Sequence, residues 1–338
     1  MAAQVRLFVH HVLLRMGGQV RIACICALTI ATIEDNDGSV EEKRCIDLLH
    51  DTLDVSDDQR KGISMQEIHS QEISQGERFQ FGKNWEEFLE TLNDERIHEA
   101  ERSLREMLGV DDLSGKRFLD IGSGSGLFSL AARRLGATVH SFDYDPKSVG
   151  CTEELKKRYC ADDANWTVEE GSALDETYLA SLGKFDVVYS WGVLHHTGDM
   201  LKAMENAMLP VSDQGTLFIA IYNDQDISSK LWKKIKKTYC SNSLGRLLIS
   251  TVFVPLFALR SIAIGLVKYK NPIGHFSAYK NKRGMSIYHD WIDWLGGYPF
   301  EVAKPQDVLS LYKSHGYILD NLVTTNRLGC NQFVFRKH

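Results

Sequence analysis

Phe118-Leu-Asp-Ile-Gly-Ser-Gly-Ser-Gly-Leu127 decides the fold. Arg117–Ile121 reads as a short apolar strand that runs into glycines at 122, 124 and 126, and Leu127–Leu135 follows with helical periodicity. Glycine admits backbone to within contact of a ligand because no side chain intrudes. A nicotinamide dinucleotide fingerprint needs G-x-G-x-x-G after the strand, and Leu127 breaks that spacing. Asp120, just ahead of the glycines, would repel a pyrophosphate and suits a cationic amine. A second strand, Thr138–Phe142, closes on Asp143, an acid placed to accept from both hydroxyls of a ribose. The expected ligand therefore has a ribose, a positive amine and no phosphate.

Outward from this loop the chain alternates. Asn165–Glu169, Phe185–Tyr189 and Thr216–Ile221 read as further strands, with helical patterns at Pro146–Tyr159 and Met200–Met208 between them. Strand–helix alternation implies a parallel sheet with helices on both faces. Tyr317–Val323 and Asn331–Phe335, joined by a short link, are expected as antiparallel neighbours at the sheet edge. Two helices precede the sheet. The first has apolar positions Trp85, Phe88, Leu89 and Leu92, with Asn84 as cap and Glu87 as capping-box partner. The second carries Ile97, Ala100, Leu104 and Met107 and stops at Gly109.

S-adenosylmethionine satisfies the ligand chemistry, and the stretch from about 78 to 222 resembles class I S-adenosylmethionine-dependent methyltransferases, most of all the ubiquinone-type O-methyltransferases. The resemblance implies an α/β, Rossmann-like seven-stranded sheet, parallel with an antiparallel edge strand, plus an inserted helical cap. It places Asp120, Gly122, Ser123, Gly124 and Gly126 around the methionine part of the cofactor, Asp143 on the ribose and Tyr144 beside the adenine. Ser172 and Ala173, after the third strand, match the adenine-side segment. The family often has an acid at the Ser172 position, so a weaker contact to the adenine amine is implied. Arg96, in Asn93-x-x-Arg96, matches an arginine that holds the cofactor carboxylate; its other reading is a solvated helix charge. Trp191, at the end of the fourth strand, joins the cofactor-binding set.

Tyr189-Ser-Trp-Gly-Val-Leu-His-His-Thr197 follows the fourth strand, where an open α/β sheet binds its ligands. A sulfonium methyl needs in-line positioning and removal of a proton from the acceptor. His196, and beside it His195, are the catalytic candidates; the alternative is that both merely satisfy backbone donors at a helix start. The expected reaction is methyl transfer to an oxygen of a small-molecule acceptor, a quinol-like lipid or an anionic metabolite. RNA or protein methylation, and a cofactor-binding protein without catalysis, are the alternatives. No RNA-binding module is visible.

Residues 226–285 carry twelve Lys/Arg and one acid in a chain of net charge -6. Five lysines surround Trp232, and a long apolar run, Leu247–Val267, follows with Pro255 and Arg260 inside it. Three readings compete: a membrane span, a lid over the acceptor, and a peripheral membrane contact through 243–270. Trp291, Trp294, Tyr298 and Phe300 form either an aromatic acceptor wall or core packing. His289, Asp290 and Asp293 fall within one helical turn, too few ligands for an expected metal site.

The chain has 338 residues, 25% of them charged, which excludes a disordered, fibrous or coiled-coil protein. Its seven scattered cysteines show neither zinc spacing nor C-x-x-C, as in a reduced, cytoplasmic-type compartment. Residues 1–33 have arginines and no acid, and 34–64 turn acidic. Residues 1–64 are expected as an extension, with organelle targeting as the alternative, and 65–338 as the catalytic domain. Oligomeric state is not legible in the sequence.

Overall fold

In a computed structural model, seven strands form one sheet in the order β3-β2-β1-β4-β5-β7-β6. The structure describes residues 64–276 and 287–338, apart from the side chains of Glu87 and His289. The N-terminal extension, and with it the targeting alternative, lies outside the described residues. Met65–His338 forms one compact unit.

The strands are β1 (Arg117–Ile121), β2 (Thr138–Asp143), β3 (Trp166–Glu170), β4 (Phe185–Trp191), β5 (Val211–Tyr222), β6 (Tyr317–Val323) and β7 (Cys330–Lys337). β1 to β5 are parallel, with Phe118 opposite Val139 and Leu119 opposite Val188. β7 runs antiparallel between β5 and β6, so the reversed strand lies one place in from the edge, and β6 is the edge itself.

Successive side chains of a strand point to opposite faces, and both faces are apolar here. Leu119 and Ile121 of β1 join Phe333 and Phe335 of β7 in one core. Phe118 and Val334, their chain neighbours, join Trp166, Tyr189 and Phe218 in the other. Helices cover each face. α1 (Met65–Ser74), α2 (Gly82–Glu90) and α3 (Asp94–Leu108) precede the sheet. α4 (Leu127–Arg134), α5 (Pro146–Tyr159), α6 (Glu176–Ser181) and α7 (Met200–Asn206) are the crossovers. α8 (Ile227–Ser241), α9 (Ser243–Tyr269) and α10 (Ile287–Gly296) make up the insertion, and α11 (Pro305–Ser314) leads back to β6.

The α2 boundary corrects the sequence reading. The helix starts at Gly82, so Asn84 is not its cap but sits in its first turn. The Asn84 amide is instead drawn across to the Asp293 carboxylate of α10. α3 behaves as expected: Asn93 caps it by accepting from the Arg96 amide, and Gly109 ends it in the left-handed region at φ 67°.

α8 and α9 form a hairpin about Asn242. Trp232, ten residues before the turn, touches Phe253, eleven residues after it, at 5.5 Å between ring centroids. α10 completes a third small core around Tyr239, Cys240 and Leu295. The edge Trp166 anchors β3: it is 1% exposed, and its indole N–H donates to Ser141 Oγ at 2.9 Å. Trp166→Ala should destabilise the fold by about 3–5 kcal/mol through the cavity it leaves. Urea denaturation should show a lower midpoint for Trp166→Ala, with Trp166→Phe recovering more than half of the loss.

Candidate functional site

All five parallel strands end on the same side, so the loops after β1, β2, β3 and β4 converge at one edge of the sheet. The Gly122 and Ser123 amides donate to the Phe142 carbonyl at 2.9 and 3.0 Å, which ties the end of β1 to that of β2. Gly122 sits at φ 79°, and a Cβ there would lie 2.4 Å from Val193 Cγ1. No residue but glycine fits that position. Gly124 lies beneath the Trp85 indole of α2, with room for a Cβ only 3.1 Å from the ring. Ser123 Oγ and Thr152 Oγ1 of α5 share a hydrogen bond of 2.9 Å.

Two acids are buried at this edge. Asp120 is 2% exposed and accepts from the Ser129 hydroxyl; burial, with the nearby Asp143 charge, pushes it up to about 7. Burial pushes Asp143 up to about 6, against the pull of backbone donors at Asp145, Gly124 and Tyr144. The amides of Gly124 and Asp145 each donate at 2.9 Å, one to each carboxylate oxygen. A carboxylate has about four acceptor directions, so acceptor capacity remains for a ligand. No cation is among the groups that set either proton affinity. A cationic ligand with vicinal hydroxyls fits this pair. S-adenosylmethionine, with an ammonium, a sulfonium and a ribose, is such a ligand.

The other predicted cofactor residues fall in four places. Tyr144 follows Asp143 and is held between the His69 ring, edge-on at 5.3 Å, and the Arg78 guanidinium at 4.7 Å. Ser172 and Ala173 are brought to the end of β2 by the Gly171 amide, which donates to the Asp143 carbonyl at 3.0 Å. Ser172 Oγ accepts from the Leu174 amide at 3.2 Å, and the Ala173 carbonyl accepts from Asn206 at 3.0 Å. Trp191 stands exposed at the end of β4. The Arg96 guanidinium donates to the Thr91 carbonyl and lies over the Phe88 ring.

His195 and His196 lie in a 3-10 turn, Leu194–His196, directly after β4. Their environments differ. His195 is fully buried and stacked 4.0 Å from the Tyr222 ring. Its Nδ1 accepts from the Tyr222 amide at 3.3 Å, and its Nε2 has no hydrogen-bond partner among the described residues. Burial lowers its proton affinity far below that of a free imidazole. His196 donates Nδ1–H to the Pro299 carbonyl at 2.5 Å, which leaves Nε2 as the nitrogen with the lone pair. Burial, Lys236 and Arg78 push it down to about 3. Both imidazoles are neutral at pH 7.

Phe81, Tyr222, Trp294 and Phe300 wall this region. Phe81 lies 4.9 Å from His196, and Tyr222 meets Trp294 at 6.0 Å and Phe300 at 5.3 Å. Trp291, by contrast, packs against Phe257 of α9, and Tyr298 joins the third core. Among the described residues no group of three or more His, Cys, Asp or Glu is placed to hold a metal ion.

Lys236 is the residue that sequence reasoning passed over as one of five clustered lysines. It is 1% exposed, donates Nζ–H to the Trp294 carbonyl, and lies 4.4 Å from the Trp294 ring and 5.0 Å from that of Phe300. Burial pushes it down to about 7. Nζ of Lys236 and Cε1 of His196 lie 3.4 and 3.3 Å from one point beside Gly297. The sequence signal was helical spacing: Trp232, Ile235, Lys236, Tyr239 and Cys240 share one face of α8.

If the two acids receive a cation, affinity depends on their ionisation. The cofactor should bind more tightly as pH rises through about 6 to about 7, and level off above. Asp143→Ala should weaken binding by about tenfold or more, two hydrogen bonds of roughly 1 kcal/mol each being lost. Calorimetric titration with S-adenosylhomocysteine between pH 5.5 and 8.5 checks both; unchanged affinity in the variant would remove Asp143 from the site.

Comparison with known proteins meets this geometry. A family described as a methyltransferase domain matches residues 92–263, just over half of the chain. Ubiquinone biosynthesis O-methyltransferase from Methylobacterium sp. (strain 4-46) is 31% identical over 119 residues, 35% of this chain and 46% of that one. The protein of the same name from Rhizobium leguminosarum bv. trifolii (strain WSM2304) is 33% identical over 112 residues, 33% and 42% of the two chains. The similarity thus spans less than half the length of these relatives. Magnesium protoporphyrin IX methyltransferase from Synechocystis PCC 6803, solved with bound S-adenosylhomocysteine, is 15% identical with a TM-score of 0.43, over 72% of this chain and 83% of that one. The chain belongs to the methyltransferase-domain family.

Proposed function

We propose that the protein transfers a methyl group from S-adenosylmethionine to an oxygen of a small aromatic acceptor of the quinol or phenol kind. The observation that carries this reading is His196. Its Nδ1–H is committed to the Pro299 carbonyl, so Nε2 is held as a neutral acceptor among aromatic rings at the end of β4. Bound cofactor supplies an activated methyl on a sulfonium. The chain has to bring an acceptor oxygen in line with it and take up the acceptor's proton.

Magnitudes bear on the proton. An imidazole pushed down to about 3 is a weak base while the acceptor position holds no anion. The charges that lower it, Lys236 and Arg78, are those that stabilise an oxyanion beside it. An acceptor oxygen that develops negative charge next to His196 restores the imidazole's affinity, so proton transfer and anion stabilisation are coupled. Phe81, Tyr222, Trp294 and Phe300 supply flat apolar contact for a ring-bearing acceptor. Similarity to named ubiquinone biosynthesis O-methyltransferases supports the choice of oxygen as the acceptor atom.

The test uses methyl-labelled cofactor, the purified chain and a native extract resolved into lipid, polar, RNA and protein fractions. Label in an aromatic hydroxyl compound is expected, and label in RNA or protein alone would overturn the reading. His196→Ala should lower kcat about a hundredfold or more, in line with loss of a general base, with S-adenosylhomocysteine affinity within about twofold of wild type. His195→Ala should instead lower the unfolding midpoint, because that ring is packed and fully buried.

A further inference from the structure

The α8–α9 hairpin carries two features that the methyl-transfer site does not use. The first is an apolar stripe. Leu244, Leu248, Val252, Leu256 and Leu259 recur every three or four residues along α9, Leu266 follows two turns on, and each is more than half exposed. The opposite face is already occupied: Ile249, Phe253, Val254 and Phe257 pack into the third core, and Gly245, Ser261 and Gly265 are buried. The second feature is charge. Residues 227–269 contain eight Lys/Arg and no Asp or Glu, in a chain whose net charge is -6. Lys230, Lys233, Lys234 and Lys237 are exposed on α8.

These features decide among the three readings of the insertion. A lid would turn its apolar side down onto the acceptor, yet the apolar stripe of α9 faces out, and the aromatic wall comes from Phe81 before α2, the end of β5, α10 and the loop before α11. A span is long enough, since 27 residues reach about 40 Å at 1.5 Å each. But one side of α9 is covered by α8, and a crossing would draw the α8 lysines into hydrocarbon. A helix that is apolar on one side, protein-backed on the other and rich in lysine nearby is suited to the plane of a bilayer surface. Exposed apolar surface of this continuity marks an interaction face, and the one-sided positive charge selects an anionic lipid partner.

We propose that the α8–α9 hairpin is a monotopic membrane face, with the leucine stripe of α9 at the acyl boundary of an anionic bilayer and the basic residues of the pair on its headgroups. The inference rests on surface chemistry and needs no acceptor, so its failure and that of the methyl-transfer reading are separable. If both hold, an apolar acceptor is delivered from the lipid phase at the same end of the molecule.

The full chain would be sedimented with vesicles of phosphatidylcholine alone, and of equal parts phosphatidylcholine and phosphatidylglycerol. Binding to the anionic vesicles about tenfold or more above the neutral ones is expected, and it should weaken as salt rises. Leu248→Glu/Leu256→Glu/Leu259→Glu should lose about tenfold or more of that binding. Lys230→Glu/Lys234→Glu/Lys237→Glu should lose the preference for phosphatidylglycerol. Calorimetry with S-adenosylhomocysteine verifies that each variant is folded. Failure of the wild-type chain to bind anionic vesicles, or equal binding to both kinds, would overturn the proposal. So would a wild-type dimer that the leucine variant turns into a monomer without any vesicle binding, since a second copy would then own the stripe.

Discussion

Two backbone donors on one carbonyl hold the site together. The amides of Gly122 and Ser123 both reach Phe142, and the Asp143 carboxylate returns the link by accepting from Gly124. The end of β1 is thereby fixed to the end of β2, and positive φ at Gly122, Gly124 and Gly126 follows from that closure. Val193 fills the space that a Gly122 side chain would need, which sets where the loop after β4 runs and so where the histidine turn begins. Trp85 then closes over Gly124 from α2. Asp143 and the histidine turn both sit next to that closure.

The electrostatics divide into two halves with opposite needs. Asp120 and Asp143 are buried acids held at about 7 and about 6, with no cation beside them, and they favour positive charge. His196, Lys236 and Arg78 form the other half, where cations depress the imidazole and favour negative charge. Methyl transfer from a sulfonium to an oxyanion brings together one reactant of each sign and leaves neither charged. Preorganised groups of this kind stabilise reacting charge without reorganisation during the reaction. Lys236 ties α8 to α10, because its Nζ is anchored on the Trp294 carbonyl while its stem belongs to α8.

The glycine loop and the acid at the next strand end were legible in the sequence because their signals are local. A strand, three glycines, a helix and an acid at the next strand end fall within one short stretch, and each has one conformational explanation. The core strands were legible for the same reason, as short apolar runs closed by glycine or aspartate. What sequence missed depends on distant contacts. Asn84 looks like a helix cap, yet Asp293, far along the chain, takes its amide, and the helix begins two residues earlier. Lys236 looks like one solvated lysine in a basic cluster, and only packing against Trp294 and Phe300 shows it to be interior. Arg96 has local contacts that its sequence context does not show, its guanidinium donating to the Thr91 carbonyl and lying over the Phe88 ring.

The outward stripe of α9 is an energetic puzzle for a chain in water. Fully burying a leucine-sized side chain contributes about 1.5–3 kcal/mol, so six such side chains left half exposed or more forgo several kcal/mol. That is a sizeable share of the roughly 5–15 kcal/mol by which a domain is stable. Folding alone gives no reason to keep this face, because the packed face of α9 already secures the hairpin through Phe253 and Phe257. Pro255 points the same way. It lies on the exposed side of α9, where the lost backbone donor disturbs no packed contact, and the helix stays continuous from Ser243 to Tyr269. A long apolar stripe, interrupted by the exposed Arg260 and backed by a lysine-rich helix, is costly in water and favourable at an anionic lipid surface, and that difference is what a membrane would supply to this fold.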